Sequence, residues 1–164
     1  MAGRQLTMTM AMLEGVHLSR LVDDFRQLVG AARDVEDPAV ARLTPSPYPD
    51  DTEAAGAFAS STRDELLDRR VLDADTVRLA LTPFAVDADA LSDDDALAPR
   101  DIVIDGSDID CWLRTLTAIR LVIAQRLGIT TEDQRVDDDE RSGVYEWLGY
   151  RLELLIHAAD DIDD

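Results

Sequence analysis

Ser107-Asp-Ile-Asp-Cys-Trp-Leu-Arg-Thr-Leu-Thr-Ala-Ile-Arg-Leu-Val-Ile-Ala-Gln-Arg-Leu-Gly128 is the stretch that decides the fold class. Ser107 is a good N-cap, because its hydroxyl can take an orphan backbone N–H of the first turn. Asp108 and Asp110 sit where the helix dipole favours anions, and Gly128 suits a helix stop. Between these ends Trp112, Leu113, Leu116, Ile119, Leu121, Val122, Ile123 and Leu127 leave the helix apolar around much of its circumference. A helix of that kind is central and buried, so the rest of the chain is expected to pack around it. The same circumference fits a monomer's core or a homodimer seam.

Working outward, a second helix is expected from about Ala11 to Ala32, with Leu18, Leu21, Phe25, Leu28 and Ala32 at helical spacing. A last one is expected from about Ser142 to Ala159, with Tyr145, Leu148, Leu152 and Leu155 on one face. The acidic end, Asp160 to Asp164, opposes that helix's dipole and should fray. Asp37-Pro38 starts a short helix, which Pro45, Pro47 and Pro49 break. Asp51 or Thr52 caps a helix to about Arg70, and Asp73 caps another that stops near Pro83. Residues 83–100, rich in Asp and Ala, read as a mobile acidic loop with one helical turn. The alternating runs Arg4 to Met10 and Asp101 to Asp105 are expected to pair as a small two-stranded sheet. So short a sheet needs helices packed on it. The expected architecture is therefore mainly α: a single-domain bundle of four to five helices, spanning 1–164.

Composition narrows function by exclusion. The chain has 35 acidic side chains against 16 basic ones, every basic residue is arginine, and the net charge is −19. Without lysine there is no Walker-type phosphate loop and no Schiff-base amine. Direct nucleic acid binding is disfavoured, because the counterion-release term that drives it is repulsive here. No segment reaches the length of apolar chain that spans a membrane, and the N-terminal stretch lacks a cleavable leader's pattern. One cysteine, Cys111, permits no intramolecular disulfide and fits a cytoplasmic setting.

We find no motif that names a catalytic or metal-binding residue, and no cofactor is expected. Calcium-loop frames starting at Asp101 and Asp137 lack carboxylates at required positions, with Val103 and Trp112 in the first and Arg141 and Leu148 in the second. Glu14-x-x-His17 matches half of a di-iron carboxylate signature, but His157 has Leu154 where the second glutamate belongs. Cys111 lies in a first helical turn beside Asp110, and that aspartate works against a thiolate. The runs Asp93 to Asp95 and Asp137 to Glu140 read as solvated surface. Arg114, Arg120 and Arg126 are the candidate anion- or partner-binding residues. On so apolar a helix they are expected to pair mainly with carboxylates of neighbouring helices, such as Glu146 or Glu153.

Several phrases occur together in order: Asp37-Pro-Ala-Val-Ala-Arg-Leu43, Tyr48-Pro-Asp-Asp51, Trp112-Leu-Arg-Thr-Leu116, Arg126-Leu-Gly-Ile-Thr130 and Tyr145-Glu-Trp-Leu148. As an ordered set they resemble an actinobacterial family filed as a domain of unknown function, numbered two-zero-one-seven. The resemblance implies a small, mostly helical cytoplasmic protein, typically encoded beside the N-degron adaptor of the Clp protease. It carries over no catalytic residues. The leading expectation is a noncatalytic acidic interaction or regulatory protein with a protein partner, basic in character, linked to Clp-dependent proteolysis. The alternative is an enzyme or small-molecule binder with an arginine-lined pocket. A third is a transcription regulator acting by protein contact.

Overall fold

In the computed structural model of the protein, residues 3–45, 50–58, 62–129 and 140–163 are described. The expected break at Pro47 and Pro49, the Tyr48 phrase, Thr130 and the frame starting at Asp137 fall outside the described residues. Among those described, strand β1 (Gln5–Ala11) leads into helix α1 (Met12–Val29), and α2 (Pro38–Leu43) and α3 (Thr52–Phe58) are short. Helix α4 (Asp64–Ala80) precedes α5 (Asp93–Leu97) and strand β2 (Pro99–Asp105). Helices α6 (Ile109–Leu127) and α7 (Glu140–Asp163) complete the order. The architecture is mainly α, with one small antiparallel sheet.

The two strands pair in a register that sets Leu6 opposite Ile104 and Met8 opposite Ile102. Alternation then puts Leu6, Met8, Met10, Ile102 and Ile104 on one buried face, while Thr7, Thr9 and Val103 stay outside. Helices α7 and α4 pack against this pair and supply the cover that two strands need. The backbone carbonyl of Arg4 accepts from the Gly106 N–H at 2.7 Å and closes the far end of the ribbon.

Helix α6 is the centre, packed by α2, α4 and α7 and touched by α1. Its Trp112, Leu116, Ala118 and Ile119 join Leu18 and Val22 of α1, Leu67 and Val77 of α4, and Leu148 and Leu155 of α7 in one core. Intrachain neighbours thus bury much of the α6 circumference, and Leu113, Leu121, Val122 and Ile123 stay half-buried. Gly128 ends α6 at φ 74°, a left-handed conformation that only glycine adopts without strain. The Ile129 N–H returns to the Ala124 carbonyl at 2.8 Å, the closing bond of a Schellman turn.

Four local expectations need correction. Ser107 does not cap α6: residues Gly106–Asp108 form a 3₁₀ turn, and the helix proper starts at Ile109. Asp73 does not start a helix. It lies in the middle of α4, which begins at Asp64, and is buried at 8% exposure. Residues 83–100 carry more regular structure than expected, with 3₁₀ turns at Thr82–Phe84 and Ala88–Ala90, helix α5, and the start of β2. Phe84 there is buried against Gly15, whose missing Cβ leaves room for the ring. Finally, α7 continues to Asp163 rather than fraying after Ala159, and Arg4 lies 3.4 Å from the Asp163 carboxylate.

Candidate functional site

Two helices that cross the core, α4 and α6, leave a cleft of about 440 Å³ between them. Its walls include Leu66 and Asp73 of α4 and Leu113 and Leu121 of α6, and three guanidinium groups, Arg69, Arg70 and Arg114, line it. Helical spacing explains the arrangement: Leu66, Arg69, Arg70 and Asp73 fall three and four apart on α4, and Arg114 and Leu121 fall seven apart on α6.

Arg114 reaches Asp73 in a two-pronged contact, Nε to Oδ2 at 2.8 Å and an outer nitrogen to Oδ1 at 3.1 Å. Burial works to raise the Asp73 pKa. Hydrogen bonds from Arg114 and the Cys111 thiol, with the charges of Arg114 and Arg69, outweigh it and hold the carboxyl below its usual range. The same carboxylate, by its hydrogen bonds, keeps Arg114 firmly protonated. Burial, the Asp73 hydrogen bond and the Asp73 charge all push the Cys111 thiol up, against a smaller opposite pull from Arg114. The cleft can therefore hold charge, while Asp73, Cys111 and Arg114 are each shifted away from exchanging protons near neutral pH.

Arg70 differs from Arg114. It is half-buried, and an outer nitrogen donates to the Leu43 carbonyl at the end of α2 at 3.3 Å. Burial lowers its pKa, with the Asp73 charge opposing and the Arg114 cation adding to the shift. Among the described residues no carboxylate lies within ion-pair distance of Arg69 or Arg70.

Arg114, Arg120 and Arg126 are spaced six apart and reach three different neighbours. Arg126 forks onto Asp37 at 2.8 and 2.7 Å, and that carboxylate also accepts from the Ala39 N–H as the N-cap of α2. Arg120 lies 3.9 Å from the ring centroid of Tyr145 and donates from Nε to the Tyr145 carbonyl at 3.2 Å. Gly149 of α7 makes room for that guanidinium, since a Cβ there would stand 2.9 Å from it. The partners are thus Asp73, Asp37 and Tyr145, not Glu146 or Glu153, and the three arginines tie α6 to α4, α2 and α7.

The family match covers residues 1–159. The chain belongs to the family Domain of unknown function (DUF2017). No curated protein and no solved structure matches it. Three phrases that carried the resemblance now have structural roles in this DUF2017 chain. Asp37 and Arg126, far apart in sequence, meet as one ion pair, and Trp112-Leu-Arg-Thr-Leu116 supplies both the core tryptophan and Arg114.

Sequence reasoning missed several groups of this DUF2017 chain. Glu14 accepts from Trp147 Nε1 at 2.9 Å and from Arg151 at 2.6 Å, so it is an ion-pair partner across α1 and α7. His17 is exposed. Among the described residues no three His, Cys, Asp or Glu side chains gather as a metal site. Arg33, placed just after α1, reaches Asp68 at 2.8 Å and Asp64 at 3.0 Å on α4. Arg26 pairs with Asp75, and Arg78 with Asp23 at 2.6 Å. The spacing of Trp147 and Arg151, one helical turn apart, was a legible signal; the carboxylates they meet were not.

The charge left over is acidic. Among the described residues no arginine lies within ion-pair distance of Asp87, Asp89, Asp93, Asp94 or Asp95, all of them exposed. Beside them Val86 and Leu97 stand open, Leu97 at 73% exposure. No helix among the described residues is long and apolar enough to cross a membrane.

Proposed function

We propose that the protein is a noncatalytic, cytoplasmic interaction protein that engages a basic protein partner. One observation carries this reading: arginines are drawn into pairs between the chain's own helices, so its surface faces a partner with unneutralised carboxylates. Arg26, Arg33, Arg78, Arg114, Arg126 and Arg151 each serve in such a pair. The aspartates of 87–95 remain exposed around Val86 and Leu97. A field of that sign steers a basic partner into encounter, and exposed apolar side chains give the encounter complex something to bury.

The pinned protonation states around the α4–α6 cleft support binding over proton-transfer chemistry. A role in regulated proteolysis beside a Clp adaptor is the setting that the family resemblance suggests for such a partner. Co-purification with a tagged chain at low and high salt tests the reading. A specific basic partner that is retained at low salt and released at high salt is expected. A partner set indifferent to salt contradicts it.

A further inference from the structure

The α4–α6 cleft carries positive charge within a strongly negative protein. Three guanidinium groups line it against the single carboxylate of Asp73, and Asp73 is engaged by Arg114. That engagement shifts the binding role away from Arg114, the sequence-based candidate, and onto Arg69 and Arg70, neither of which has a carboxylate partner among the described residues. Arg70 is half-buried with one hydrogen bond, to the Leu43 carbonyl, although a guanidinium carries five donors. A half-buried cation beside a second cation gains when an anion joins it. Apart from Thr117 the remaining walls, Leu66, Leu113, Ala118 and Leu121, are apolar, and the volume of about 440 Å³ falls within the ordinary range for small-ligand pockets, roughly 300–1,000 Å³.

We propose that this cleft binds a small organic acid: its carboxylate on Arg69 and Arg70, its apolar body against Leu66, Leu113 and Leu121. Charge complementarity selects the anion, because a guanidinium fork matches a carboxylate's two oxygens. The net charge of −19 selects a monoanion. Each further negative charge on a ligand meets the protein's own field again, so polyanions such as nucleic acids and acidic peptides are held off. The apolar walls select a ligand with a hydrocarbon body over inorganic phosphate.

The test follows methyl resonances of the full chain during titration with octanoate, octanol, inorganic phosphate, and a short peptide ending in leucine with a free or amidated C-terminus. Octanoate is expected to move Leu66, Leu113 and Leu121 saturably. Octanol and phosphate should bind more weakly by about tenfold or more, since each lacks half of the recognition. Arg70→Met and Arg69→Gln should each weaken octanoate by roughly tenfold. Leu66→Asp changes a position 41% exposed and sets a carboxylate at the cleft wall, so it should block octanoate even where Arg70→Met fails to fold. Unsaturable shifts, shifts mapping elsewhere, or full octanoate binding by both Arg69→Gln and Leu66→Asp would overturn the site. Tighter binding of the free-carboxyl peptide than of octanoate would overturn the small acid in favour of a chain terminus.

Discussion

Asp37 and Asp73 show how one carboxylate can do two jobs. Asp37 caps α2 and anchors Arg126, while Asp73 receives Arg114 from inside α4. Asp37 is held below its usual range by Arg126 first and then by the Ala39 N–H. Glu14 is also lowered: burial opposes this, but hydrogen bonds from Arg151 and Trp147 outweigh it. Groups whose folded pKa lies below the unfolded value add stability that is fully present above the unfolded range, about 4. That stability is lost as the pH falls through the folded values. Urea unfolding between neutral pH and pH 3 should therefore show a steep acid-side loss. Arg114→Ala should leave the buried Asp73 without its cation and cost about 1–3 kcal/mol at neutral pH. It should also flatten the acid-side slope, because Asp73 then loses what lowers its pKa. Asp73→Ala should cost less than Arg114→Ala, since the half-exposed Arg114 can turn to water. The reverse order, measured by the same unfolding curves, would contradict this account of the pair.

Helices α1 and α4 run antiparallel, and three arginines lace them: Arg26 to Asp75, Arg78 to Asp23, and Arg33 to Asp68 and Asp64. Beyond these pairs lies a tight contact between the Phe84 ring and Gly15 of α1. Gly15→Ala gains up to about 1 kcal/mol of helix propensity, yet its methyl would occupy the ring's own space. Overpacking of that kind costs roughly 1–3 kcal/mol. A net destabilisation is expected, and Gly15→Ala combined with Phe84→Ala should cost less than the two single losses summed, as read by thermal melts.

At this scale the sequence was largely legible. Helical periodicity found α1, α6 and α7, and alternation found both strands and their pairing. What it missed was non-local. Asp73 looks like a cap in the chain, because a carboxylate amid polar residues favours helix starts. Arg114, 41 residues away, with the Cys111 thiol and the Arg69 charge, makes an interior position tolerable. Ser107 has the right chemistry for a cap, but the 3₁₀ turn places the helix start two residues later. Arg114, Arg120 and Arg126 stand out as charges on an apolar helix, but periodicity cannot tell which group each will meet.

The whole molecule carries 35 acidic groups against 16 arginines. Internal pairing draws on the arginines, so the long-range balance is repulsion among carboxylates. Added monovalent salt weakens both the surface pairs and this repulsion. Repulsion involves more groups, so stability should rise with salt. A relief of about 1 kcal/mol raises Tm by roughly 2–4 °C for a chain of this size. Calorimetry at increasing sodium chloride checks the sign, and a falling Tm would mean that the arginine pairs dominate.

Under the proposed function, the acidic surface meets a basic partner. The most direct measurement is quantitative co-purification from the source lysate, comparing the wild-type chain with Asp93→Asn/Asp94→Asn/Asp95→Asn at low and high salt. These positions are exposed on α5, so the substitutions remove charge and leave the core untouched. A specific basic partner is expected that the wild type retains at low salt, and that the variant or high salt releases. A partner held equally by both chains at both salt levels would contradict it.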